Sequence, residues 1–80
     1  MQIGTIVLYH PGAAEGFAGG HAPVPAIVVA ANGDALDLAV IDRAARVVLR
    51  SRPLSAEAWA ARGRDPAVGY FHAAGVAPGV

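Results

Sequence analysis

The stretch Ala26-Ile-Val-Val-Ala-Ala-Asn-Gly-Asp-Ala-Leu-Asp-Leu-Ala-Val-Ile41 decides the fold. Two apolar runs flank Asn32-Gly33, the dipeptide that best tolerates the positive φ angles of a type I′ turn, so an antiparallel β-hairpin is predicted. A two-residue loop at Asn32-Gly33 sets Ala31 opposite Asp34, Val29 opposite Leu36 and Ile27 opposite Leu38. Ile27, Val29, Leu36, Leu38 and Val40 then share the inner face. Val28, Ala30, Ala35, Asp37 and Ala39 share the outer one, as a half-buried pair requires. A helical reading of residues 35–49 competes, because Leu36, Val40, Ala44 and Val47 also fit one helical face. The clustering of β-branched residues favours strands.

Working outward from the hairpin, Gly4 to His10 is a strand with Thr5, Val7 and Tyr9 on one face and Ile6 and Leu8 on the other. Pro11-Gly12 breaks it, and residues 11–25, rich in glycine and proline, read as a long irregular loop that is functional or mobile. After the hairpin, Arg43-Ala44 makes a turn and Arg46 to Arg52 forms the next strand. Val47 and Leu49 are expected inward; Arg46, Val48, Arg50 and Arg52 are expected outward. Ser55 can cap a short helix over Ala56–Ala61, with Glu57 in its first turn and Gly63 as its stop. Gly69 to Ala73 closes as a short strand, and the tail from Gly75 to Val80 is expected to be loose. The chain thus reads as one domain over residues 1–80. It is mainly β: a small five-stranded SH3-like barrel with one short helical turn before the last strand. Closure removes the exposed edges an open sheet would leave.

Composition narrows the function. At 80 residues, folding removes only about 60–65% of the unfolded chain's surface from water, and much of the 55% apolar content is alanine. Such a thin core benefits from burial against a partner. With no cysteine there is neither a disulfide framework nor a thiolate zinc site. The opening Met1–Tyr9 has no basic region and meets His10-Pro11-Gly12 too soon for a signal peptide, and no apolar run approaches the roughly 20 residues of a membrane span. Net charge is zero, which argues against a general nucleic-acid binder. The charge is nonetheless polarised. Residues 1–42 hold Glu15, Asp34, Asp37 and Asp42 and no lysine or arginine, whereas all six arginines fall between Arg43 and Arg64 beside Glu57 and Asp65.

No residue set encodes a reaction. The glycine-rich run over residues 12–20 lacks Gly-Lys-Ser/Thr and is followed by His21-Ala-Pro-Val-Pro25, which cannot begin a phosphate-holding helix, so a flexible loop is the better reading. Its Phe17 and the nearby Val24 are candidate contacts to a neighbouring subunit. His10, His21 and His72 do not have ligand spacing; His10 and His72 are expected to cap strand ends and His21 to be solvated. Ser51 and Ser55 lack a nucleophile setting. No catalytic residue, metal or cofactor is therefore expected. Arg46, Arg50 and Arg52, at period 2, form a stripe that could meet carboxylates or a phosphate backbone, against the plain alternative of a solvated face. Trp59 is expected to plug the barrel, with interface anchor as its other reading.

Gly4-Thr-Ile-Val-Leu-Tyr-His-Pro, Pro25-Ala-Ile-Val-Val, Leu38-Ala-Val-Ile and Gly69-Tyr-Phe-His resemble a family of small bacteriophage and prophage proteins. The resemblance covers most of residues 4–73. It departs at the end, where an aromatic-His-Trp finish is expected and Tyr70-Phe71-His72-Ala73 stands. It implies a virion-associated role, such as capsid decoration, cement or head accessory protein, and supplies no catalytic residues. The expectation is a non-enzymatic barrel that binds capsid or head subunits, with self-association open, in a virion assembled in the host cytoplasm. The candidate interface is Phe17, Val24, Arg46, Arg50, Arg52 and Trp59. The alternative is a nucleic-acid-binding module using the arginine stripe, with Tyr70 or Phe71 for stacking.

Overall fold

A computed structural model describes residues 1–17, 20, 22–33 and 35–75. Its strands are β1 (Ile6–His10), β2 (Val24–Asn32), β3 (Ala35–Ile41), β4 (Val47–Ser51), β5 (Leu54–Ser55) and β6 (Tyr70–Ala73). A 3-10 turn covers Ala13–Glu15, and the helix α1 covers Ala56–Ala61. The strands form one sheet in the order β4-β3-β2-β1-β6-β5, antiparallel except for β5 beside β6. The sheet curls into a half-barrel, so the mainly β, barrel-like class read from the sequence is the one adopted. The sixth strand is the two-residue β5, which local sequence does not signal because its partner β6 lies 16 positions further along the chain.

The core lies inside the curl: Val7 and Tyr9 of β1, Val24, Ala26 and Val28 of β2, Leu36, Leu38 and Val40 of β3, Phe71 of β6, and Phe17. The alternation expected for β1 holds. For the hairpin it holds on β3 and fails on β2. Asn32 pairs with Ala35, so the turn sits one residue later than expected, with Gly33 at φ 63°. That shift alone would set Val29 against Leu38. A β-bulge between Val28 and Ala30 adds one more residue, so Val28 faces Leu38 and Ala26 faces Val40. One inserted residue exchanges the two faces of a strand. Val29 is 44% exposed as a result, and Ile27 lies on the outer side. The small Ala26 suits a core that must also hold the rings of Tyr9, Phe17 and Phe71.

β4 reverses its expected faces as well. Leu38 pairs with Arg50 and Val40 with Val48, which puts Val48 and Arg50 inside the curl and leaves Val47 and Leu49 outside. The register follows from the tight β3–β4 connection. Buried Asp42 accepts hydrogen bonds from the backbone N–H groups of Ala44 and Arg46, both at 2.9 Å, and from the Arg46 side chain. These bonds, the Arg46 N–H first, hold its carboxyl below the usual carboxylate range.

The helix forms as read. The Ser55 side chain accepts from the Ala58 N–H at 3.2 Å, Glu57 lies in the first turn, and Gly63 follows at φ 91°. The glycine-rich segment after β1 is pinned rather than loose over its first part. Glu15 accepts from the Tyr9 hydroxyl at 2.7 Å, from the Gly12 N–H at 2.6 Å and from Arg50 Nε. Burial, and then the Glu15 carboxylate, push the Tyr9 hydroxyl well above its ordinary range. The expectations placed on His21, on Asp34 and on the tail beyond Gly75 lie outside the described residues.

Candidate functional site

Two surfaces carry chemistry or shape that the core does not need. The first is the outer face of the sheet. Pairing aligns Ile6 with Ile27, Ile27 with Ala39 and Ala39 with Leu49, which makes an apolar row across β1, β2, β3 and β4. Ile41 pairs with Val47 beside it. Ile6 is 50% exposed, Val47 66% and Leu49 70%. β4 is also an edge of the sheet, so its outer backbone groups have no strand partner among the described residues. A contiguous apolar patch next to an open edge is what proteins ordinarily avoid leaving bare.

The second is a cavity of about 290 Å³ lined by His10, Pro11, Trp59, Arg64, Pro66, Val68 and Tyr70. Pairing of β1 with β6 sets His10 opposite Tyr70, and α1 brings Trp59 over them. The three rings stack in sequence: Trp59 on Tyr70 at 4.2 Å between centroids, Tyr70 on His10 at 4.5 Å. His10 Nε2 lies 2.8 Å from His72 Nε2. His72 Nδ1 lies 3.1 Å from the Ala73 carbonyl oxygen, which can only accept, so in the neutral pair Nδ1 carries the His72 proton. His72 Nε2 therefore accepts from the His10 Nε2–H.

Burial, and then the neighbouring His72, lower the His10 pKa from its ordinary 6.5. The unfolded chain therefore takes up this proton at higher pH than the folded one. The stability contributed is fully present above pH 6.5 and is lost as pH falls from there through the lower folded pKa. The urea midpoint is expected to drop between pH 7.5 and 5, and the drop to shrink in His10→Gln. A wild-type midpoint flat across that window would contradict the neutral pair.

The residues singled out from the sequence are scattered. Phe17 and Val24, expected to meet a neighbour, are buried in the chain's own core. Arg50 pairs with Glu15, and its guanidinium lies 5.3 Å from the Phe17 ring centroid. Arg46 pairs with Asp42 at 2.9 Å and is largely exposed. Arg52 has left the strand: at φ 51° its N–H donates to the Leu36 carbonyl, so it does not continue the period-2 face. The stripe of three outward arginines therefore does not form, and two of the three already hold carboxylates of this chain. Trp59 is only half-buried and lies outside the core cluster, on the cavity wall. His10 and His72 do not cap separate strand ends; they bond each other. The aromatic-bearing ends of β1 and β6 hint at this, but only their pairing makes the contact. Comparison with protein-family models, curated proteins and solved structures finds no match to this chain.

Proposed function

We propose that this chain is a binding component of a phage or phage-like particle, a capsid decoration, cement or head accessory protein rather than an enzyme. The observation that carries the reading is the apolar row from Ile6 through Ile27 and Ala39 to Leu49, with Val47 and Ile41 beside it. A thin core and a wide apolar outer face suit a small domain whose second side is covered by a capsid or head subunit in the assembled virion. The occupant is a protein surface. The row carries no charge, and Arg46 and Arg50 are committed within the chain, which gives a phosphate backbone little to engage.

The test is co-sedimentation of the purified chain with particles from its own genome, comparing wild type with the double variant Val47→Asp, Leu49→Asp. Both side chains are already exposed, so the variant is expected to fold, with a urea midpoint corresponding to a change within about 0.5 kcal/mol per site. It is expected to stay in the supernatant while wild type pellets. A wild type that does not pellet, or a folded variant that pellets equally, would sink the proposal.

A further inference from the structure

The cavity beside α1 is distinct from the outer sheet face, and its walls have an unusual polar inventory. Pro11 and Pro66 have no N–H to offer. The Trp59 indole N–H is spent on the Asp65 carbonyl at 3.0 Å. The facing histidine nitrogens are spent on each other, and the Asp65 carboxylate accepts from the Ala67 N–H at 2.9 Å. Among the side chains lining the cavity, His10 Nδ1, the Tyr70 hydroxyl and the Arg64 guanidinium make no hydrogen bond to any described residue. Arg64 also sits at φ 54°, a left-handed conformation that disfavours a non-glycine residue.

We propose that this cavity is a docking groove for an extended, proline-bearing peptide segment with acidic residues next to the prolines. A strand-like partner needs a free strand edge, and the strand residues on this wall, His10 of β1 and Tyr70 of β6, are already paired within the sheet. A polyproline-type segment needs no such edge, because its backbone stays solvated and its shape is already set. Its rings pack on the Trp59–Tyr70–His10 stack and on Val68, one of its carbonyls accepts from the Tyr70 hydroxyl, and its carboxylate meets Arg64. The same arginine disfavours a cationic ligand on the aromatic wall.

Trp59 is the chain's one tryptophan, so its emission reports occupancy directly. The probe is a synthetic hexaproline peptide ending in paired glutamates, set against one with glycines for the prolines and one with glutamines for the glutamates. Saturable emission change is expected with the first peptide, and binding about tenfold weaker for the flexible glycine version. Tyr70→Phe is expected to weaken the proline peptide roughly fivefold through loss of one hydrogen bond. Arg64→Gly accepts the left-handed backbone and is expected to abolish the preference for glutamate over glutamine. No saturation at millimolar peptide, equal binding of the proline and glycine peptides, or a charge preference that survives Arg64→Gly would each overturn the proposal. The outer-face variant Val47→Asp, Leu49→Asp is expected to bind the peptide as wild type does, which separates this groove from the particle-binding reading.

Discussion

Alanine at position 12 is expected to lower the stability of the chain sharply. Gly12 packs so closely under the loop before β6 that a Cβ would lie 2.7 Å from the Val68 carbonyl carbon and closer still to the Ala67 carbonyl. These are backbone atoms, which no rotamer change can move aside. The Gly12 N–H is also held by Glu15, and the Ala13 N–H donates to the Pro66 carbonyl at 2.9 Å, so neither strand of the contact can retreat alone. Overpacking of this kind costs about 3 kcal/mol or more. A domain of this length has roughly 4–12 kcal/mol in total. Urea denaturation is expected to show a large fall in midpoint with little change in slope. Alanine at Gly16 provides the contrast in packing, since open space surrounds its Cβ position and only its left-handed φ of 68° resists substitution. Equal stability of Gly12→Ala and wild type would mean that the first part of the 11–25 segment does not pack under residues 66–68.

Leu38→Ala is expected to cost about 3 kcal/mol, and Leu49→Ala no more than about 0.5 kcal/mol. Leu38 is fully buried at the middle of β3, between Val28 on one side and Arg50 on the other, and its removal leaves a cavity in the centre of the core. Leu49 lies one strand away and is 70% exposed. Both leucines were expected inside on alternation alone. The pair of midpoints therefore measures the register of β4 directly. A Leu49→Ala as costly as Leu38→Ala would place Leu49 in the core and remove the outer apolar row on which the proposed function rests.

The sequence by itself determined where the chain extends, turns and coils. Strand positions for β1, β3, β4 and β6, the Arg43-Ala44 turn and the Ser55 cap of α1 all depend on interactions within a few residues, and those are readable from local pattern. The tertiary structure alone decided which face of β2 and of β4 looks inward. That choice turns on single-residue features: the bulge at Val29 exchanges the faces of β2 before it, and the Asp42 turn sets β4 so that Val48 and Arg50 point into the curl. A pattern of period 2 is satisfied equally by either face when both carry valine, leucine and isoleucine. The candidate surfaces lie beyond local pattern for the same reason. Arg50 meets Glu15 and Phe17, and His10 meets His72 and Tyr70, only through contacts between residues dozens of positions apart. Those contacts exist because the sheet curls, and curling is a property of all six strands together.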